Sequence, residues 1–466
     1  MQFDSYIYAL FLPIVFVIYW MLRRKLLWQN LILLVASYVF YGWWDWRFLG
    51  LIGFTTLSTF LTALAINVSN KRLAKMWMWL NLVANLGILA TFKYFDFFAS
   101  TFAQCLKAFG LSPDFVTLNL VLPVGISFYT LQAMSYTIDV YRGEVKATRD
   151  IVAFAVYIAF FPQLVAGPIE RAKNLLPQFL KTKHFDYWNA VVGMRQILWG
   201  LVKKLVIADN LAGFVDNLLY HPSVMSGSSI VMAAIIFAFQ IYADFSGYSD
   251  IAIGSARLLN IKLSANFRYP FFSRSPKELW QRWHVSLMSW MREYIYFPLG
   301  GSRCSKLRTS FNIMVVFAVS GLWHGADWTF VIWGVLNCIV LLPFVFMPKS
   351  KTSSPHATWR DLPKCLFTFL IFALIFLSFR SPNISHLSEC FSVIASSSLF
   401  TFPMGLSAFI YIAPLVIVEW LGRKQEFPIM TLPLPTVARW AIYWWLLYLI
   451  GFYSAGRNIQ YIYFQF

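Results

Sequence analysis

Apolar runs of bilayer length recur along this chain, and most of its charge lies between them. They occupy residues 6–22, 30–44, 48–66, 76–92, 151–166, 229–244, 311–323, 327–347, 365–379, 405–420 and 438–453. A bilayer core about 30 Å thick needs roughly 20 apolar residues in a helix. The longer runs meet that length, and the shorter ones suit tilted, re-entrant or enclosed helices. The expected fold is an all-α polytopic integral membrane protein with about eleven transmembrane helices. A further apolar stretch, 118–138, is interrupted by Pro123 and Gly125. Broken helices at membrane depth need protein or a water-filled cavity around them.

Composition supports the same class. Only 12% of residues are charged and 59% are hydrophobic, against about a quarter charged in a soluble domain. The 46 Phe, 23 Tyr and 20 Trp suit a protein with aromatic belts at both membrane interfaces. The net charge of +18 does not point to nucleic acid, because the basic residues form short clusters between apolar runs. Such clusters mark cytoplasmic loops facing anionic lipid. Arg23, Arg24 and Lys25 follow the first run, and Lys71, Arg72 and Lys75 follow the third. Both groups are expected inside, which places the N-terminus outside. The first run lacks a basic n-region and a small-residue cleavage site, so it reads as a retained span. Five scattered cysteines form no CxxC pair, so neither a disulfide framework nor a metal site is expected.

Residues 275–297 (SPKELWQRWHVSLMSWMREYIYF) differ in kind. Ser275 and Glu278 make a capping-box pattern. Leu279, Trp280, Trp283, Leu287, Trp290, Met291 and Tyr294 recur at helical spacing. One helix is expected here, lying at the interface or packed into the mouth of the protein. Residues 348–361 (PKSKTSSPHATWRD) read as a flexible solvent loop.

Three constellations carry possible chemistry. His324 lies between two apolar runs in SGLWHGADW, and ionisable groups within membrane segments are functional candidates. Burial favours neutral imidazole, which accepts a proton as a general base does. Gly321 and Gly325 let a backbone or substrate come close. The alternative role is a histidine joining helices by hydrogen bonds. His284, in QRWH, either lines a cavity entrance or lies on a half-polar interfacial helix. In QIYADFSGYSD, Asp244 and Asp250 follow a long apolar run. They either form a polar wall with Tyr242 and Ser246, or mark a helix end emerging among headgroups. Carboxylates at that depth need a Tyr, Ser or basic partner. His184, His221, His356 and His386 lie in polar stretches and read as surface residues. There is no GxSxG elbow, phosphate loop, dinucleotide fingerprint or HExxH pair.

Several segments together resemble the membrane-bound O-acyltransferases, in the bacterial alginate O-acetyltransferase branch. They are LPVGISFYTLQAMSYTIDVYRGE (122–144), FPQLVAGPIERAKNLLPQ (161–178), QIYADFSGYSDIAIG (240–254), NFRYPFFSRSPKELWQRWHVSLMSWMREYIYFPLGG (266–301) and GLWHGADWTFVIWG (321–334). ASYVFYGWWDWRFL (36–49) and the terminal YIYFQF (461–466) are also similar to that family. Gln281, Glu293 and Asp327 depart mildly from its pattern, which more often has Arg, Asp, and Asn or Ala there.

The resemblance implies one membrane domain over 1–466, with N-terminal helices in 1–110, a catalytic core in 118–347 and C-terminal helices in 362–466. It implies re-entrant and interfacial helices around a central tunnel. His324 is then the expected catalytic centre, with His284 on the donor side. Trp283, Trp323, Tyr242, Asp244, Ser246 and Asp250 are tunnel candidates, and an oxyanion donor is expected from Trp323, Tyr242 or the backbone near Gly325. No permanently bound cofactor is expected. The donor is a thioester, acetyl-CoA or an acyl carrier protein, used as substrate. The implied setting is the bacterial inner membrane, with lipid around the chain and an extracytoplasmic acetyltransferase or acyl-accepting protein as partner. The rival class is a transporter or flippase of a lipid-linked sugar, which also uses broken helices and midplane polar groups.

Overall fold

A computed structural model describes residues 1–111, 117–165, 167–347, 356–454 and 461. Its ordered elements are all helical among these residues. Five helices are long and apolar enough to cross a membrane: 46–68, 71–108, 227–258, 328–346 and 359–380. Four shorter apolar helices cover 6–21, 26–42, 151–164 and 406–422. The runs expected at 311–323 and 438–453 are helical within 306–324 and 436–454, though they are not among the long apolar spans. The chain divides into two compact units, residues 1–193 with 255–264, and residues 194–254 with 265–466.

The first unit contains α1 (Tyr6–Met21), α2 (Leu26–Gly42), α3 (Leu49–Val68), α4 (Lys71–Leu89), α5 (Phe95–Ala108), α6 (Ile126–Arg142), α7 (Ile151–Ala159), α8 (Phe161–Leu164), α9 (Ala172–Phe179) and the start of α10 (Tyr187–Leu201). Side-chain caps set several starts. Ser5 Oγ accepts from Tyr8 N–H, and Asn70 Oδ1 accepts from Leu73 N–H. The run expected over 76–92 is longer than its apolar core. A π-helical stretch at Ala90–Tyr94 carries α4 into α5 without a break.

The interrupted run 118–138 becomes helix only after Gly125. That glycine has φ +77°, and a Cβ there would meet the Leu164 carbonyl oxygen at 2.6 Å. Beyond it α6 is enclosed on nearly all sides, which is how an apolar helix behaves in a core. Polar groups join it to its neighbours. Thr137 Oγ1 donates to Asn81 Oδ1 at 2.9 Å, and Gln163 Nε2 donates to Gln132 Oε1 at 2.7 Å. Leu10, Ile14, Leu57, Leu61 and Val83 are each more than half exposed, as lipid-facing residues are.

The second unit contains the rest of α10, then α11 (Asp209–Leu219), α12 (Gly227–Leu258, to residue 254), α13 (Pro276–Trp280), α14 (Val285–Met291), α15 (Lys306–His324), α16 (Trp328–Leu341), α17 (Pro343–Phe346), α18 (Leu362–Arg380), α19 (Ile384–Ser396), α20 (Phe409–Gly422) and α21 (Thr436–Ser454). The span expected at 229–244 is a 32-residue helix. Asp244 and Asp250 therefore lie within α12, and the helix-end reading is ruled out.

The single helix expected over 275–297 is also corrected. Ser275 does cap α13 by accepting from Glu278 N–H at 3.3 Å. The helix stops at Trp280, and α14 starts only after His284. Between them, Arg268 N–H donates to the Arg282 carbonyl at 2.9 Å and Val285 N–H donates to the Asn266 carbonyl at 2.8 Å. These cross-links satisfy backbone groups that a continuous helix would pair internally. The last turns, Arg292–Tyr296, are π-helical. His386 is likewise no loop residue. It lies in α19, half-buried, with Nε2 2.7 Å from the Leu219 carbonyl oxygen. Of the loop expected at 348–361, residues 348–355 lie outside the described residues, as do 462–466 of the terminal motif.

Candidate active site

His324 is the last residue of α15 and is buried. Close packing of α15 on α16 places it there. A Cβ on Gly321 would strike the Phe330 carbonyl, and one on Gly334 would strike the Phe317 carbonyl. A Cβ on Gly325 would strike the Phe330 ring. The glycines beside His324 thus admit protein groups. Gly321→Ala is expected to cost about 1–3 kcal/mol through overpacking. Thermal unfolding checks this against Gly87→Ala, where an added Cβ meets nothing within 4 Å. The His324 ring packs edge-on against Trp333 and Phe379, with centroids 5.2 Å away in each case. Asp327 caps α16, its Oδ1 accepting from Thr329 N–H at 2.8 Å.

His284 is brought to the same place. Its ring centroid lies 6.2 Å from that of His324, 5.9 Å from Trp323 and 4.7 Å from Phe245. It is 1% exposed and takes left-handed backbone angles, φ 44° and ψ 50°. Such angles are uncommon outside glycine and cluster at functional sites. Its Nδ1 accepts from Leu287 N–H at 3.3 Å. That atom therefore carries a lone pair, so the ring is neutral with its proton on Nε2. Nε2 is buried and meets no hydrogen-bond partner among the described residues.

The polar residues of α12 divide between two faces. Tyr242, Ser246 and Asp250 are four residues apart and share one face. Lys203 reaches that face, with Nζ 2.6 Å from Asp250 Oδ2 and donating to Ser246 Oγ at 2.9 Å. Tyr242 Oη donates to Glu419 Oε1 on α20 at 2.8 Å. Asp244 lies on the other face, 2.9 Å from Lys204 Nζ, which also pairs with Asp209 at 2.8 Å. Both lysines sit on a π-helical stretch, Val202–Ala208, that joins α10 to α11. Such bulges recur at functional sites. Glycines set the approach of α10 to α12: a Cβ on Gly200 would lie 2.6 Å from the Gly247 carbonyl oxygen, and one on Gly247 would lie 2.8 Å from that of Gly200.

A narrow cleft runs along the Tyr242–Ser246–Asp250 face. Its lining includes Gln196, Trp199, Lys203, Asn266, Phe267 and Glu419, but neither histidine. An aromatic layer separates the two regions. Phe267 lines the cleft and also faces Trp283 at 5.0 Å and His284 at 6.5 Å between centroids. Trp283 is buried in this layer, 6.1 Å from the Tyr242 ring. At the edge of this region Glu278 binds Arg274 and Arg282. Burial pushes its carboxyl up, but hydrogen bonds from the Arg274 side chain and backbone and the charge of Arg282 hold it below the ordinary value.

Sequence reasoning missed Lys203, Lys204, Glu419, Gln196 and Asn266. Lys203 and Lys204 were detectable as paired charges in the apolar stretch GLVKKLVI, and Glu419 as an acid in the run 405–420. Gln196 and Asn266 give no such signal, since amides are common in every environment.

Residues 142–385 match the profile of MBOAT, the membrane-bound O-acyltransferase family. A probable alginate O-acetylase AlgI of Azotobacter vinelandii is 37% identical over 388 residues, 82% of this chain and 76% of the relative. The protein of the same description from Pseudomonas aeruginosa is 37% identical over 389 residues, 82% of this chain and 73% of the relative. A peptidoglycan O-acetyltransferase of Helicobacter pylori is 35% identical over 404 residues, covering 80% of this chain and 76% of the relative. With bilayer-length helices and a buried histidine pair already in view, these likenesses show that the chain belongs to the membrane-bound O-acyltransferase family and is a multi-pass O-acyltransferase.

Proposed function

We propose that this acyltransferase moves an acetyl group from a thioester on the cytoplasmic side to a hydroxyl acceptor on the outer side of the bacterial inner membrane. The donor is acetyl-CoA or an acyl carrier protein. The acceptor is a protein partner or extracytoplasmic acetyltransferase that passes the group to a cell-envelope polysaccharide. One observation carries the reading: His284 and His324 lie buried together, their ring centroids 6.2 Å apart and their planes nearly perpendicular. A charged carrier cannot cross about 30 Å of hydrocarbon, whereas a passage meeting at these rings lets donor and acceptor stay on their own sides. The relatives named as an alginate O-acetylase and a peptidoglycan O-acetyltransferase support acetyl as the group and an envelope polymer as its destination.

The chemistry assigns different roles to the two rings. His324 takes the proton of the attacking hydroxyl. The hydroxyl oxygen bonds to the thioester carbonyl carbon, giving a tetrahedral oxyanion. The carbon–sulfur bond then breaks, and the thiolate leaves with the proton His324 had accepted. His284, with its proton on Nε2, acts as a donor and not as a base, and a donor of this kind stabilises an oxyanion. His284→Ala is expected to lower kcat by about 10²–10³-fold while the protein stays inserted. Unchanged turnover would reduce His284 to a structural cap. The functional test is mass spectrometry of envelope polymers. Deleting the gene is expected to remove O-acetyl esters, wild type to restore them, and the His324→Ala gene to fail to do so. Unaltered ester content in the deletion strain would overturn the proposal.

A further inference from the structure

Within the second unit, the surface where α10 meets α21 carries positive charge that the described residues leave unmatched. Arg195 of α10 is half-buried, and its Nη1 donates to the Met430 carbonyl at 2.8 Å. Its guanidinium carbon lies 5.9 Å from the centre of the Tyr443 ring on α21. Arg195 Nε and Tyr443 Oη are both buried and have no hydrogen-bond partner among the described residues. Arg439 lies one turn before Tyr443, on the same face of α21. Among the described residues, neither arginine forms an ion pair with a carboxylate. A buried donor without an acceptor costs free energy, and an anion placed between Arg195 and Tyr443 satisfies both groups.

The surroundings narrow the ligand class. The less exposed stripe of α21 includes Arg439, Ile442, Tyr443, Leu446, Ile450 and Tyr453, yet each is only half-buried, and α21 buries no residue. A helix stripe of this period is ordinarily covered by a core, so this flank is open to an apolar guest. Trp440, Trp444 and Met194 beside it are each more than half exposed, and tryptophan gathers at headgroup depth. The connection from α20 and the first turn of α21 hold Arg423, Lys424 and Arg439 against one acid, Glu426. Such a bias marks a cytoplasmic connection, and basic pockets between helices on that side bind acidic headgroups. With Nη1 taken by Met430, the Nε–Nη2 edge of Arg195 remains, and such an edge takes two oxygens of one phosphate.

We infer that an anionic phospholipid binds here, its phosphate held by Arg195, Arg439 and the Tyr443 hydroxyl, and its acyl chains laid along the half-covered stripe of α21. None of these three residues lines the α12 cleft, and the inference does not depend on the acyl-transfer reading. The lipid links α21 to α10. Because α21 also packs on the π-helical stretch Val202–Ala208, the same lipid supports the segment that carries Lys203 and Lys204.

The test uses purified full-length protein in nonionic detergent, titrated with phosphatidylglycerol, phosphatidylcholine or inorganic phosphate. Native mass spectrometry reads bound lipid, and thermal unfolding reads stability. Wild type is expected to hold phosphatidylglycerol about tenfold more tightly than phosphatidylcholine and to unfold at a higher temperature with it. Inorganic phosphate should leave the midpoint unchanged. Tyr443→Phe keeps the ring and removes only the unpartnered hydroxyl, so without lipid it should unfold as wild type does, and it should bind phosphatidylglycerol about tenfold more weakly. Arg195→Gln and Arg439→Gln should show the same loss. Arg24→Gln, which removes an exposed cation elsewhere, should bind as wild type does. Equal retention of the two lipids, a midpoint raised as much by inorganic phosphate, or undiminished binding by Tyr443→Phe would overturn the inference.

Discussion

His324→Ala is expected to lower acyl transfer by about 10²–10⁴-fold, the range for loss of a general base, while the protein remains folded and inserted. The ring lies among Trp323, Trp333 and Phe379 and beside His284. These neighbours provide a low-dielectric surrounding. Alanine removes the proton acceptor and leaves the α15–α16 packing in place, because that packing depends on Gly321, Gly334 and Phe330. The measurement is release of free thiol from a labelled thioester by protein reconstituted in liposomes. Monodisperse elution in detergent reports the fold. Near wild-type transfer by His324→Ala would remove the mechanism.

The largest effect on stability is expected at Lys204. Its ammonium is 1% exposed and lies 2.8 Å from Asp209 and 2.9 Å from Asp244. Lys204→Met leaves two buried carboxylates without the cation between them. Breaking such a pair from one side costs about 3–5 kcal/mol. Lys204→Arg keeps the charge and should recover much of the loss. Thermal unfolding in detergent, followed by size-exclusion recovery, reads both variants. A Lys204→Met protein as stable as wild type would mean that the network contributes little to the fold.

Helix identity was legible in the sequence where apolar runs were long. Runs 48–66 and 365–379 lie within described helices, and run 327–347 exceeds the helical span 328–346 by one residue at each end. The boundaries were less legible. Hydropathy ends a span at its first charge, yet α12 continues through Asp244 and Asp250 because Lys203 and Lys204 pair with them from another helix. The 275–297 segment failed for a related reason. Its spacing is helical, but Arg282 and Val285 use their backbone groups to bind residues 266–268. Local periodicity carries no information about pairing with that preceding loop.

The order of residues along this chain was enough to establish membrane class, helical class and family, and to mark His284 and His324 as the histidines worth attention. Those properties follow from transfer free energies and from short motifs, both of which are local. The meeting of the two rings, the pairing of Lys203 and Lys204 with α12, and a cleft bordered by Trp199 and Gln196 depended on packing between helices far apart in sequence. Contacts of that kind arise from close approach at glycines such as Gly200, Gly247, Gly321 and Gly334, and a linear reading has no term for them.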